Sequence, residues 1–145
     1  MNTASLPATV EEYLTANRSE LVGFLETLVG YDTQNPPGRT VGVVEWLEST
    51  LAGTALDVDR VAVDPEKPNL VATLPGAREH TLCFNGHLDT VPFDAGDWTH
   101  APLGERVDDR IYGRGTTDMK GAVAATVQVA LAYAETGTEP PVTLQ

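Results

Sequence analysis

Apolar residues recur at helical spacing through the first thirty positions: Val10, Tyr13, Leu14, Leu21, Val22, Leu25, Leu28 and Val29. The pattern predicts one long helix. Thr9 opens it, with Glu12 three residues on as a capping box requires, and Gly30 closes it. Asn35-Pro36-Pro37-Gly38 then forms a rigid turn that fits neither helix nor central strand. A second helix is expected from near Thr40 to Gly53, with Val41, Val44, Leu47 and Leu51 on one stripe and Trp46 beside it. Strand patterns follow at 56–63, 69–74 and 81–85, the last an almost continuous apolar run expected of a strand covered on both faces. Positions 92–102 lack periodicity and read as loop. Positions 105–112 read as a hairpin turning at Asp108-Asp109. An alanine-rich helix is expected over 119–135, with Gly137 beyond its end, and a new strand begins at Val142. Helices alternating with strands in this order predict an α/β fold, a mixed sheet flanked by helices.

Composition narrows the classes. Hydrophobic residues make up 41% of 145, enough for a core and against disorder. No apolar run is long enough to cross a bilayer, and positions 1–10 lack the basic and apolar regions of a secretory signal. The net charge is −12, from 21 acidic and 9 basic residues, which argues against nucleic acid and membrane surfaces as partners. Such an acid-rich, lysine-poor balance also occurs in salt-adapted proteins, a matter of surface solvation and not of chemistry. The lone Cys83 cannot form an internal disulfide, and its apolar surroundings predict a small buried hydrophobe. A cytoplasmic protein is expected.

Two segments carry candidate chemistry. In Asn85-Gly86-His87-Leu88-Asp89, a strand runs into a glycine and then a His and an Asp two residues apart. The carboxyl ends of strands in open sheets commonly bind ligands. There His87 could offer a ring nitrogen to a metal while Asp89 accepts its other N–H, or His87 could merely cap backbone groups. In Tyr112-Gly113-Arg114-Gly115-Thr116-Thr117-Asp118-Met119-Lys120-Gly121, glycines permit close backbone approach ahead of a helix. Asp118 stands where an N-cap residue belongs, and capping needs no metal. Convergence of the two segments would suit a pair of divalent ions sharing a carboxylate and a water.

Together these segments resemble the M20 metallopeptidase family, which includes deacetylases, desuccinylases, aminoacylases and carboxypeptidases. The Asn35-Pro36-Pro37-Gly38 turn is similar to one found there too. The resemblance implies a metal-dependent exopeptidase-like catalytic domain that hydrolyses amide bonds of N-acyl amino acids or small peptides. It implies His87 as a metal ligand, Asp118 as the carboxylate bridging two divalent ions, and Asp89 as the catalytic-site residue that orients the His87 ring. Zinc is the expected metal, with cobalt or manganese as alternatives. The peptide after the bridging Asp is commonly cis in that family, here Asp118–Met119. Arg114 and Lys120 belong to the motif and are expected to be structural. Full-length relatives are often homodimers.

The family's Glu-Glu pair, further ligands and inserted lid or dimerisation domain have no counterpart in this sequence. The expectation is therefore that residues 1–145 are the N-terminal portion of the catalytic domain, inactive alone. A non-catalytic binding or regulatory module on the same fold is the alternative. A small α/β protein with structural His and Asp residues is a third reading.

Overall fold

The computed structural model describes residues 5–145; the first four positions of the polar N-terminal stretch lie outside the described residues. The long first helix is in fact two, α1 (Ala8–Ala16) and α2 (Arg18–Gly30). The interruption falls at Asn17, whose side-chain amide shares the Tyr13 carbonyl with its own helical N–H, each at 2.9 Å, and which stands at the N-cap of α2, its carbonyl accepting from Glu20 and Leu21 N–H. Such local side-chain bonds compete with helix propagation. The capping box is not formed. Pro7 occupies the N-cap position without a side-chain bond, and Thr9 Oγ1 instead pairs with Thr138 Oγ1 at 3.0 Å.

Helix α3 (Val41–Leu51) lies where its apolar stripe predicts and buries Val43, Val44, Leu47 and Leu51. Strands β1 (Asp57–Val61) and β2 (Asn69–Thr73) pair antiparallel, Asp57 opposite Thr73. Strand β3 (Thr81–Leu82) is shorter than its apolar run suggests. β4 (Glu105–Val107) and β5 (Arg110–Tyr112) make the expected hairpin, with Asp108 at φ 53° in its turn. Helix α4 (Lys120–Thr136) ends on Gly137 in the left-handed conformation at φ 61°. The last strand, β6 (Thr143–Leu144), runs parallel to β3, and Leu144 also bridges antiparallel to Leu74 at the end of β2. The strands form three small two-stranded sheets, β1-β2 and β4-β5 antiparallel and β3-β6 parallel, so the mixed α/β class holds while the single mixed sheet of the expectation is divided.

Two apolar clusters hold the elements together. Val10 of α1 meets Ala132 and Tyr133 of α4 with Leu74 and Leu144. Phe24 and Leu28 of α2 meet Val43 and Leu47 of α3 and Ala124 of α4. Helix α4 contributes to both, its C-terminal half packing on α1, Leu74 and Leu144 and its N-terminal half on α2 and α3.

The segment after β3 departs from expectation. Leu82 and Phe84 are 48% and 46% exposed, and Cys83 is exposed rather than buried. Between β2 and this segment lies an apolar groove of about 840 Å³, lined by Leu70, Ala72, Phe84, Val123, Val127 and Leu144 among others. An apolar run reports a tendency to be covered; which neighbours cover it is a tertiary matter, and no described residue closes this face.

Candidate metal centre

His87 follows β3, and Asp118 precedes α4, thirty-one residues further on. The fold brings them together: His87 Nε2 lies 3.3 Å from Asp118 Oδ1. The other ring nitrogen, Nδ1, lies 2.9 Å from the Asp89 backbone carbonyl and 3.3 Å from its Oδ1. The carbonyl is therefore the closer partner, and the carboxylate supports it from the side. Asp89 itself is held, its Oδ2 accepting from Asn35 Nδ2 at 2.8 Å.

Both ring nitrogens of His87 thus face oxygen acceptors. A neutral imidazole carries one N–H and can satisfy only one of them. With Nδ1–H given to the Asp89 carbonyl, the Nε2 lone pair points at a carboxylate oxygen. An electropositive species is needed between them, either a proton or a cation. Protonation is favoured accordingly: the Asp89 carbonyl holds the His87 pKa above its usual value, burial opposes this, and the Asp118 carboxylate adds to it.

Asp118 does not cap α4. Met119 occupies the N-cap position, no side-chain cap is made, and the Asp118 side chain is 86% exposed. The capping role that its position suggested is thereby corrected, and the carboxylate is left free for the His87 side. The Asp118–Met119 peptide is cis, as the family resemblance implied.

Lys120 anchors the start of α4. It is 1% exposed, and its Nζ donates to the Tyr31 carbonyl at 2.7 Å. Burial pulls its pKa down from 10.5 to about 8, partly offset by the Asp32 charge. At Gly121 a Cβ would stand 2.2 Å from the Thr116 carbonyl oxygen, so glycine is what lets the loop fold back on the helix. The Arg114 guanidinium lies 5.0 Å over the Trp98 ring, and its buried Nε has no partner among the described residues. Both motif cations thus make internal contacts, Lys120 to a carbonyl and Arg114 to a ring. A second cavity, about 380 Å³, opens beside His87 and Asp118, between Trp98, Tyr112 and Arg114.

His87 and Asp118 are a donor pair whose chemistry suits a divalent cation. Among the described residues, no group of three or more His, Cys, Asp or Glu side chains is gathered at one point. The two side chains thus offer part of a donor set, and not a complete one. Asn35 was legible in the sequence only as a turn residue, and the Tyr31 carbonyl had no signal at all.

Comparison with known proteins bears on family and fold. Residues 83–145 match the model of peptidase family M20/M25/M40. The chain is 32% identical over 143 residues to N-formyl-4-amino-5-aminomethyl-2-methylpyrimidine deformylase of Bacillus subtilis (strain 168), covering 94% of this chain and 33% of that protein. It is 44% identical over 90 residues to acetylornithine deacetylase of Vibrio vulnificus (strain CMCP6), covering 61% of this chain and 23% of that one. The crystal structure of human carnosine dipeptidase 1 superposes with a TM-score of 0.76 at 28% identity, over 97% of this chain and 34% of that one. Sequence and fold together assign the chain to the M20 metallopeptidase family. The chain spans about a third or less of the length of these relatives. Among the described residues no helix is long and apolar enough to cross a membrane.

Proposed function

We propose that this chain supplies part of the divalent-metal centre of a hydrolase that cleaves amide bonds in N-acyl amino acids or small peptides. The observation that carries the reading is the His87 ring, flanked by oxygen acceptors at both nitrogens, with Asp118 at the outer one. His87 presents Nε2 to the cation. The Asp89 carbonyl fixes the tautomer by accepting from Nδ1, and the Asp89 carboxylate reinforces it. Asp118, with one oxygen on the His87 side and most of its side chain exposed, is suited to bridge two ions. Two bound divalent ions, zinc foremost and cobalt or manganese as alternatives, would polarise the amide carbonyl and activate a water. The reading includes a cytoplasmic location and small-molecule substrates, since the excess of acidic groups opposes polyanionic partners; homodimers are expected of full-length relatives.

A catalytic zinc usually takes three protein ligands. With two donors the 145-residue chain should bind zinc weakly and turn over no N-acyl amino acid. Zinc titration by chelator competition tests the site. Binding should fall by at least about tenfold in His87→Ala and in Asp118→Asn. Affinity unchanged in both variants would remove the metal-site reading. Replacing the matching segment of the Vibrio deacetylase with residues 83–121 tests the reaction: the chimera should deacetylate acetylornithine, and His87→Ala within it should not.

A further inference from the structure

We infer that Asn35 is a positioning residue of the metal centre, acting on His87 through the Asp89 carboxylate. The inference rests on the metal-site reading above and adds a member from a separate part of the chain, fifty-four residues before Asp89.

The segment holding Asn35 is docked along the site segment by its backbone. Asn35 N–H donates to the Thr90 carbonyl at 2.8 Å, and Thr90 N–H donates to the Thr33 carbonyl at 3.0 Å. Thr33 Oγ1 donates to the Leu88 carbonyl at 2.7 Å, and the Gln34 amide oxygen accepts from Phe93 N–H at 2.8 Å. Those bonds would hold the two segments together whatever residue stood at position 35. The side chain of Asn35 is not needed for them. It is instead committed to Asp89, with Nδ2 donating to Oδ2 at 2.8 Å.

That bond selects one orientation of a carboxylate. Asp89 Oδ2 turned towards Asn35 leaves Oδ1 3.3 Å from His87 Nδ1. Released, the carboxylate is free to rotate into water, or towards a cation at Asp118, and either change removes negative charge from beside Nδ1. An amide is the suitable clamp. It donates without carrying charge, whereas a Lys or Arg there would neutralise the carboxylate. The turn is built around this side chain. A Cβ on Gly38, whose φ is 73°, would stand 2.9 Å from Asn35 Cγ, so glycine leaves room for the amide.

A double-substitution cycle on the 145-residue chain tests this, with zinc as the probe. Asn35→Leu should weaken zinc binding by about tenfold, the usual effect of losing a group that orients a ligand. In the Asp89→Ala background the same substitution should change affinity by less than about twofold, because its target is gone. A residue that only shapes the turn would cost the same in both backgrounds, and that result overturns the proposal. So does unchanged affinity in a folded Asn35→Leu chain. Asn35→Asp, nearly the same shape but repelling Asp89, serves as the second variant if Leu prevents folding, with loss expected again. The zinc-free protein provides the arm that is independent of the metal reading. The His87 ring ¹⁵N shifts should move in Asn35→Leu, and the double variant should show the same shifts as Asp89→Ala alone. If the native chain shows no His87-dependent zinc binding, the metal reading fails. The ring shifts then decide the Asn35 role alone, and identical shifts in native and Asn35→Leu chains overturn it.

Discussion

Lys120 offers a quantitative test of how the site is built. It is the largest fully buried side chain, with its ammonium on the Tyr31 carbonyl. Two opposing effects act at its tip. The lowering of its pKa from 10.5 to about 8, in which burial outweighs the Asp32 charge, means that the buried charge costs at most about 3–4 kcal/mol, less whatever screening nearby solvent supplies. Removing the ammonium relieves that cost but orphans the Tyr31 carbonyl, at about 1–3 kcal/mol. These two effects are common to Lys120→Met and Lys120→Ala. The variants differ in the buried stem, whose loss in Ala costs about 0.8 kcal/mol per methylene before any cavity is counted. Lys120→Met should therefore be within about 2 kcal/mol of the native chain at pH 7, and Lys120→Ala roughly 2–3 kcal/mol below Lys120→Met. Urea denaturation measures both. The pH dependence supplies a second reading. Between pH 8 and 10.5 the folded Lys120 has lost its proton while the unfolded one retains it, so the native chain gains stability as pH rises through that window. The gain should be present in the native chain and absent from Lys120→Met, the other titrations cancelling in the difference. If Met and Ala variants are equally unstable, or the native-minus-Met difference is flat from pH 8 to 10.5, the account of a buried, desolvated cation is wrong.

Three further outcomes follow from the geometry. Zinc affinity should fall as pH drops through the raised His87 pKa, because the proton competes for Nε2. In the absence of metal, the His87 pairing should stabilise the fold fully below the unfolded value near 6.5 and lose that contribution as pH rises through the folded one. Zinc affinity independent of pH would contradict the first of these outcomes, and a native-minus-His87→Ala difference in urea stability that is flat with pH in the metal-free chain would contradict the second. Gly121→Ala should destabilise the chain by about 1–3 kcal/mol or more, since its Cβ would press on the Thr116 carbonyl oxygen, and a thermal melt at the native temperature would refute the close approach.

What could be read from the amino-acid order alone was local. The stripe of Val44, Leu47 and Leu51 specified α3, Gly137 specified the end of α4, and Asp108-Asp109 specified the hairpin turn, because each depends on neighbours within a few residues. The local signals failed where a competing bond or a missing neighbour intervened. The helix that the apolar spacing alone would have continued is interrupted at Asn17, whose side-chain amide bonds locally to the Tyr13 carbonyl. The run at Cys83 and Phe84 promised burial, yet it lies exposed along a groove. The family motifs pointed to His87, Asp89 and Asp118, but spacing could not show that they meet. Their meeting was decided by tertiary packing: α4, clamped between α1, α2 and the sheet, carries Asp118 to the end of β3. The Asn35 contact with Asp89 and the Lys120 contact with Tyr31 span fifty-four and eighty-nine residues. No local pattern encodes such pairs, because the partners become neighbours only once the core has brought their segments together.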